Sequence, residues 1–502
     1  MGENLAWNRI SLKPLCTLFT DFGGIRDVFG NDSLVWSILA IAVPAALALA
    51  ADPVASLIDT AFIGQLGAVD LAAVGVAIAV INQASKIAIF PLVSVTTSLV
   101  AEEEASDAMN NKPQQDSFVD FGSVESEETD ELMGQAKRLN SSHSGKQRRH
   151  FPSATSALVV ACVLGLIQAL FLAFGDKVIL NYMGISSNSP MLAPAQRYLV
   201  LRSLGSPAVL LSLAMQGVFR GLRDTKTPLY ATLVGDVANV ALDPIFIFGF
   251  RFGVSGAATA HVVSQYIIVI ILLWKLNEHV DLLPPSIGDL QFKRFLGNGF
   301  LLLMRVIAAT FCVTMATSLA ARHGSTSMAA FQICLQIWLA SSLLADGLAV
   351  AGQAMLASAF TRKDFNQAGA VASRVLQLAM LFGLGLCGIL LIGLPVVSRL
   401  FTKDTSVLEL VGVGIPFVAA TQPVNVLAFV FDGVSYGASD FAFAAYSMML
   451  VSLVSLLCLT LLSSAFGFVG IWIALTIFMS LRAVVGLCRI GSGTGPWNFL
   501  RS

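Results

Sequence analysis

Four polar side chains lie inside strongly apolar stretches of the N-terminal half: Asp59, Asn239, Asp243 and His261. Burying an ionisable group at membrane depth is costly, so such residues usually mark ion pathways. Two carboxylates, an amide and an imidazole at one depth can bind a proton or a dehydrated sodium ion. The pattern indicates an ion-coupled transporter, and the alternative is a hydrogen-bonded network that holds three helices together.

The depth of these residues can be read from the nearest turns. Asp59 lies eight residues before Gly67, Asp243 eight before Arg251, and His261 ten after it. Because an α-helix rises about 1.5 Å per residue, each of these residues lies roughly 12–15 Å below its turn. Two further acids, Asp52 and Asp236, each lie seven residues before one of the carboxylates, two turns deeper on the same helical face. They could pass ions inward, and a helix-packing role is an equal alternative.

The composition indicates which kind of secondary structure carries these residues. Of 502 residues, 56% are hydrophobic and 12% are charged, and the mean hydropathy is +0.78, which indicates an all-α polytopic membrane protein in a lipid bilayer. Apolar runs long enough to span a membrane predict twelve helices. They cover residues 34–62, 70–101, 153–175, 192–219, 227–250, 253–275, 295–321, 327–360, 367–396, 407–433, 440–465 and 467–488.

The basic residues predict the orientation. The termini and the loops on their side hold 19 Lys and Arg, whereas the opposite loops hold five. Cytoplasmic loops accumulate these residues, so both termini are predicted to be cytoplasmic. No cleavable apolar segment precedes the first span, and the first 33 residues include three Asp, so neither a secretory signal nor a transit peptide fits well. This favours the plasma membrane.

An internal repeat divides the chain into two six-helix halves. Residues 217–224 match 433–440 at an offset of 216, and Gly67 matches Gly324 at an offset of 257. The repeat predicts an N-lobe over 34–275, a linker over 276–294 and a C-lobe over 295–488, with cytoplasmic segments 1–33 and 489–502. The larger offset places an insertion between the second and third spans.

That insertion, residues 102–151, is predicted to be a disordered cytoplasmic loop. It carries eleven acidic residues and ends in a basic stretch at Lys146, Arg148 and Arg149. The sequence Arg138-Leu139-Asn140-Ser141 could be phosphorylated at Ser141 by a regulatory kinase. The alternative is a solvated tether with no regulatory role.

The repeat also tests whether the polar residues are a requirement of the scaffold, since a scaffold requirement would appear in both halves. The two acids and the histidine have no counterparts. Asp59 aligns with Ala316, Asp243 with residues 457–459 and His261 with Leu475. The asymmetry favours a coupling-ion site over a structural network.

Three segments resemble motifs of the multidrug and toxic compound extrusion (MATE) family of transporters. They are Leu57–Gly64, Asn239–Pro244, and Gly256–Ala258 with Ser264-Gln265. The resemblance extends from about residue 34 to 490 and implies that Asp59, Asn239 and Asp243 form an N-lobe cation site. Many microbial members have Thr where this chain has His261, which implies a proton rather than sodium.

In span seven the chain departs from the drug-exporting members, which carry an acidic residue there. This chain has Arg305, and Lys86 is its counterpart in span two, each 19 residues from the outer glycine of its half. Two cations facing a cleft suit a multiply charged carboxylate. Alternatively, each pairs with an acid such as Asp52 or Asp346, or extends towards the cytoplasmic face. Neutral hydrogen bonds to a substrate, or helix-packing contacts, could come from Gln83, Gln332, Gln336, Gln353, Gln422 and Asn425.

The whole chain most closely resembles the plant subgroup of that family that exports citrate. The similarity includes the long loop after span two, residues 44–53 in general character and residues 328–336. It implies efflux of citrate or a similar organic anion, driven by proton or sodium entry, with roles in aluminium exclusion or iron movement. Export of a cationic or neutral metabolite is the nearer alternative. An intramembrane enzyme is a remote one, because no Ser-His-Asp or metal-ligand motif is evident. No cofactor, metal or nucleic-acid partner is expected.

Overall fold

The computed structural model describes residues 33–110, 149–183, 185, 188–278, 280–281, 292–401 and 405–501. The described helices of the first half are α1 Ser33–Gly64, α2 Ala68–Asn110, α3 Pro152–Phe174, α4 Asp176–Tyr182, α5 Leu192–Ser203, α6 Ser206–Gly221, α7 Lys226–Pro244 and α8 Val254–Asn277, with a π-helical turn at Ile245–Gly249. Those of the second half are α9 Phe292–Arg322, α10 Ser325–Thr361, α11 Phe365–Phe401, α12 Thr405–Ala420, α13 Gln422–Gly437 and α14 Phe441–Gly491, followed by a 3-10 helix at Gly495–Arg501.

The helices confirm an all-α membrane protein. Within the described residues, eight are long and apolar enough to cross a bilayer, or ten if two bent pairs count as one span each. The bends are 45° between α5 and α6 and 48° between α12 and α13, and Pro207 and Pro423 each begin the second helix of a pair. Proline lacks the amide hydrogen that would continue the preceding helix. The range given for α14 contains predicted spans eleven and twelve, which meet at a kink where Gly467 has a non-helical conformation.

The backbone repeats its unusual conformations at the offsets of the sequence repeat. Gly253 and Gly467 both have φ +57°, and Gly67 and Gly324 have φ +142° and +105°. Only glycine adopts such values without strain, so these positions fix the turns. The two halves therefore share one turn geometry.

The buried clusters show how the lobes meet. We call the side carrying these four glycines the turn side, and the side where α6, α13 and α14 end the tail side. Towards the turn side, one cluster contains N-lobe residues and another contains C-lobe residues. Towards the tail side, Ile38 and Ile41 of α1 pack with C-lobe residues, and Leu92 and Leu99 of α2 pack with Phe295 and Leu302. The lobes are thus closed together on the tail side.

The structure corrects the start and end of the predicted loop 102–151. Helix α2 continues to Asn110, because Ala101 and Ala105 are fully buried and the intervening acids have partners. At the other end, Arg149 and His150 form a two-residue parallel strand, β1, with β2 at Val280–Asp281 in the linker. Ser141, Lys146 and Arg148 lie outside the described residues.

Glu103, in the part of α2 beyond the predicted span, anchors the start of α3. Its carboxylate accepts hydrogen bonds from the Ser153 backbone N–H, 3.2 Å away, and from Ser153 Oγ at 2.6 Å. Burial raises its pKa from 4.5 to about 6, and the Ser153 hydrogen bonds only partly offset this.

The raised pKa of Glu103 predicts a pH-dependent stability. A carboxyl that binds its proton more tightly in the folded state stabilises the fold below pH 4.5, and this stability is lost as the pH rises through about 6. The loss is about 2 kcal/mol. We expect the melting temperature of Glu103→Gln, relative to wild type, to rise by about 2–4 °C between pH 4.5 and pH 7.5.

The control is Glu278→Gln, at a surface ion pair with Lys275. Exposed pairs contribute little to stability, so this variant should follow the wild-type curve. A Glu103→Gln curve parallel to that of wild type would contradict the prediction.

Candidate ion and substrate sites

The N-lobe site is built on α1, α7 and α8. Asp59 of α1 accepts a hydrogen bond from Asn239 Nδ2 of α7 at 2.5 Å, and Ser264 Oγ of α8 lies 3.4 Å from Asn239 Oδ1. The relative exposure of Asp59, Asn239 and Asp243 is 7%, 2% and 0%. Three of the four predicted residues therefore share one buried site.

Asp243 is the least satisfied member of this site. Both of its carboxylate oxygens are buried, and no described residue donates a hydrogen bond to them. Its neighbour is Asp59. The two carboxyls can hydrogen-bond to each other if one of them carries a proton. A buried carboxylate without a donor is strongly disfavoured. A proton or a cation held between the two acids removes this penalty.

The backbone around Asp243 is irregular. Pro244 ends α7, and a π-helical turn follows at Ile245–Gly249. Proline removes one helical hydrogen bond, and π-helical turns often occur at functional sites. The carboxylate of Asp243 thus lies where the regular hydrogen bonding of α7 is interrupted.

The structure does not bring the imidazole of His261 into this hydrogen-bonded set. Within the described residues, its ring makes no hydrogen bond to Asp59 or Asp243, and its backbone carbonyl accepts from Ser264 Oγ at 2.7 Å. The ring is half-buried and its charged neighbour is Arg202. His261 therefore lies outside the hydrogen-bonded set in this structure, and its predicted part in ion coupling stays a prediction.

Two residues near the carboxylates were missed from the sequence. Arg202 of α5 donates a hydrogen bond to Tyr198 Oη, and its guanidinium lies 5.5 Å from the centre of that ring. Tyr198 interacts electrostatically with Asp59 and Asp243, and Arg202 with Asp243. Their four-residue spacing on one helical face was a usable signal. Arg202 gives the site a fixed positive charge near its two acids.

The two residues predicted as ion relays remain predictions. The side chain of Asp52 lies outside the described part of the structure, although its backbone continues α1. Asp236 is half-buried on α7, two turns closer to the tail side than Asp243. Its position on the helix is that expected from the seven-residue spacing.

A second charged cluster lies in the C-lobe. Asp432 of α13 forms ion pairs with Arg305 of α9 through Oδ1 and with Arg482 of α14 through Oδ2, the latter at 2.6 Å. The side chains of Arg305 and Arg482 are 8% and 9% exposed, and that of Asp432 is 20% exposed. Two buried guanidinium groups therefore share one carboxylate.

Aromatic rings hold both arginines in place. The Arg482 guanidinium lies 4.9 Å from the centre of the Phe429 ring and 5.5 Å from that of Phe478, and Arg305 lies 5.4 Å from the Tyr436 ring. Such stacking suits the planar guanidinium. The cluster borders a small cavity of about 30 Å³, which is also lined by Ser435, Phe443, Ser447 and Met448.

Arg305 borders this C-lobe cavity and is also paired with an acid, as in the alternative given above, but the acid is neither Asp52 nor Asp346. The predicted anion recognition with Lys86 across a cleft between the halves stays a prediction. Asp432 forms the ion pair, and Asp346 interacts with Arg305 at longer range. Asp432 and Arg482 were missed, although a charged residue inside an apolar span is itself a signal. The side chains of Lys86 and Gln83 lie outside the described residues, so their predicted part in substrate binding stays a prediction.

The other predicted substrate-binding amides divide into two groups. Gln422 and Asn425 are fully buried and contact their own α12–α13 bend, with Gln422 Nε2 donating to Val418 O at 2.9 Å and Asn425 Nδ2 lying 3.4 Å from Thr421 Oγ1. Gln332 is half-buried and Gln336 is exposed on α10. Gln353 stands apart from both groups, because its amide hydrogen-bonds across the lobes, which agrees with the alternative of a helix-packing contact.

Gln353 is part of a set of polar contacts that we call the tail-side latch. Its Nε2 donates to Ser94 O at 2.7 Å and to Ser98 Oγ at 2.8 Å, and Ser98 Oγ donates to Tyr436 O at 2.9 Å. Glu102, at the end of α2, accepts hydrogen bonds from Arg294 and from Ser439 of the C-lobe. These bonds reinforce the apolar closure on the tail side.

Weakening the latch should open the tail side. In Glu102→Ala with Gln353→Ala, the lobes lose hydrogen bonds that exist only in the closed arrangement, so the population shifts towards the open one. Spin labels at positions 226 and 367 should show a longer inter-lobe distance in the double variant. The matched control is Gln377→Ala, which removes a hydrogen bond inside α11 with Arg374. An unchanged distance distribution in the double variant would contradict the latch.

The fold and the two sites define a class of protein. Two pseudo-symmetric helical lobes closed on one side, with a buried carboxylate pair in one lobe and a charged cavity in the other, are the architecture of a secondary transporter. The MatE family model matches residues 144–245 and 302–462, about half of the chain. The chain belongs to the MATE family of efflux transporters.

Curated relatives and solved structures agree. The chain is 59% identical to Protein DETOXIFICATION 42 of Arabidopsis thaliana, covering 98% of each chain, and 54% identical to Protein DETOXIFICATION 43, covering 100% of this chain and 98% of that protein. A crystal structure of a MATE protein in the bent conformation matches with a TM-score of 0.75 at 18% identity, covering 93% of this chain and 97% of that one. These structures show the shared fold.

Proposed function

We propose that this protein is an antiporter that exports citrate or a related organic anion from the cytosol, coupled to inward movement of a proton or sodium through the N-lobe site. The observation that carries the proposal is the C-lobe cluster, in which Arg305 and Arg482 outnumber Asp432. With all three side chains charged, the cavity wall has a net charge of +1. Paired guanidinium groups bind carboxylates through parallel hydrogen bonds.

The N-lobe site supports a coupling ion, and a proton in particular. Asp59 and Asp243 face each other, and Asn239 already donates to Asp59. Sodium needs several oxygen ligands, whereas one proton between two carboxyls needs none beyond them. Arg202 adds a positive charge that disfavours a second cation.

The closed tail side supports an alternating-access cycle. If the termini are cytoplasmic, as the basic residues predict, the structure is closed towards the cytosol. Loading of Asp59 and Asp243 from outside would then favour return to the inward-facing state, in which the tail side opens and the C-lobe cavity meets cytosolic substrate. The latch residues Glu102 and Gln353 separate in that step.

Export of an organic cation is the alternative within the same fold. Asp432 and the rings of Phe443 and Tyr436 lie at the cluster, and a carboxylate with aromatic neighbours can bind a cation. The excess of arginine disfavours this alternative. Because the relatives belong to a transporter family, transport is also favoured over the remote possibility of an intramembrane enzyme.

The proposal is tested by efflux from oocytes. Cells expressing the protein are injected with labelled citrate, malate, acetate or tetraethylammonium, and release is measured at external pH 5.5 and 7.5. We expect release of citrate above that of water-injected cells, and faster release at the lower pH because the inward proton gradient is larger. Release of tetraethylammonium without citrate would replace the anion proposal by the cation alternative.

The membrane is part of the proposal. We place the protein in the plasma membrane with both termini in the cytosol, which a fluorescent fusion would test against the plastid envelope. That comparison matters because Protein DETOXIFICATION 44, a relative 46% identical, is described as chloroplastic. In a plant, citrate export at the cell surface would serve aluminium exclusion or iron movement. A kinase acting at Ser141 would be a further level of control.

A further inference from the structure

We propose that Asp432 competes with the substrate for Arg305 and Arg482, so that a substrate carboxylate binds by taking the place of the Asp432 carboxylate. This inference rests on the proposed export of an organic anion and deepens it. It assigns Asp432 as a built-in competitor and defines the substrate class as anions with at least two carboxylates.

The geometry of the cluster is that of a carboxylate bound between two guanidinium groups. Arg305 comes from α9 and Arg482 from α14, and they pair with opposite oxygens of Asp432 on α13. A substrate carboxylate has the same two oxygens and the same charge. The site that holds Asp432 can therefore hold a substrate carboxylate without rearrangement of the arginines.

The arginines are fixed, and Asp432 is the member that can move. The Arg482 guanidinium packs near the rings of both Phe429 and Phe478, and both guanidinium groups are buried. Asp432 is more than twice as exposed as either arginine and borders the cavity. Its short side chain can turn away by rotation about its own torsions.

The cluster also holds an unused donor. Arg482 Nε is buried, and no described residue accepts a hydrogen bond from it. A buried charged donor without an acceptor is unfavourable. A substrate larger than the Asp432 side chain can supply that acceptor, which gives the substrate an advantage that Asp432 lacks.

Competition with a tethered carboxylate selects for charge. Asp432 is attached to the site and acts at a high effective concentration, so a monocarboxylate that makes the same contacts binds poorly. A second or third carboxylate can add interactions with the two arginines that a monocarboxylate cannot make. Asp346, half-buried on α10, interacts electrostatically with Asp432 and with both arginines.

The test is binding of labelled citrate to the purified full-length protein in lipid nanodiscs at constant pH. Asp432→Asn removes the competing charge and keeps the shape, so its Kd for citrate should fall at least tenfold below that of wild type. Acetate should displace citrate from Asp432→Asn and fail to do so from wild type. The matched control is Asp440→Asn. Asp440 forms another Arg–Asp ion pair of the C-lobe, with its Oδ2 2.8 Å from Arg489 Nε, and neither residue lines the cavity.

The outcomes separate the two proposals. If wild type binds citrate and a folded Asp432→Asn variant binds it no more tightly, the competition is wrong while anion export stands. If neither protein binds any organic anion, the proposed function itself fails. If the Asp432→Asn variant does not fold, the wild-type protein alone provides the test. Competition requires wild type to bind citrate at least tenfold more tightly than acetate. Equal affinities for the two anions would overturn the competition.

Discussion

Replacement of Asp243 by Asn should abolish coupling between the external ion and export. The two buried carboxyls can share one proton or one cation only if both can ionise, and Asn cannot. Asn keeps the size of the side chain, so the fold should persist. We expect the external-pH dependence of efflux to disappear and the efflux rate at pH 5.5 to fall at least tenfold.

The same oocyte assay makes this measurement, with surface expression quantified for each variant. The control is Asp176→Asn, which changes an acid on α4 whose carboxylate accepts a hydrogen bond from the Lys177 backbone. It should retain the wild-type pH dependence. A pH-dependent Asp243→Asn transporter would show that the ion binds elsewhere.

Replacement of Arg305 by Ala should abolish anion export while leaving the protein folded. Asp432 keeps its ion pair with Arg482, so no buried acid is left without a partner. The net charge of the cluster falls from +1 to zero, and a substrate carboxylate loses half of its guanidinium contacts. We expect citrate efflux to fall at least tenfold, with Arg305→Lys intermediate because lysine keeps the charge but not the planar fork.

Efflux of labelled citrate against internal concentration separates binding from turnover in these variants. The matched control is Arg374→Ala, which removes an arginine on α11 that hydrogen-bonds to Gln377. It should leave the half-saturating citrate concentration unchanged. Undiminished citrate export by Arg305→Ala would remove the cluster from the substrate path.

The ion site shows how far sequence reasoning reached. Asp59, Asn239 and Asp243 were found because polar residues are costly in apolar spans and because the repeat lacks counterparts for them. Tyr198 and Arg202 were missed because their span is bent at residues 204–205, and contact between α5 and the carboxylates depends on that bend. His261 was grouped with the carboxylates by its depth, by its lack of a counterpart in the second half and by the family resemblance, and none of these fixes which way a side chain points.

The substrate cluster shows the opposite balance. Arg305 was identified from its type and position, but its partner could not be, since Asp432 is 127 residues away and Arg482 is 50 beyond that. Which acid meets which arginine depends on the packing of α9, α13 and α14. The same holds for Gln353, whose amide crosses to the other lobe.

Hydropathy, charge bias and the repeat determined from the sequence alone that this is a helical membrane protein with two related halves and a cluster of buried polar residues in the first. These properties follow from local transfer free energies and periodicity, which each segment carries by itself. The tertiary structure decided the closed tail side, the shared carboxylate of Arg305 and Arg482, and the helical path of residues 102–110. Those features arise where distant helices meet, and their energies depend on which side chains exclude water together.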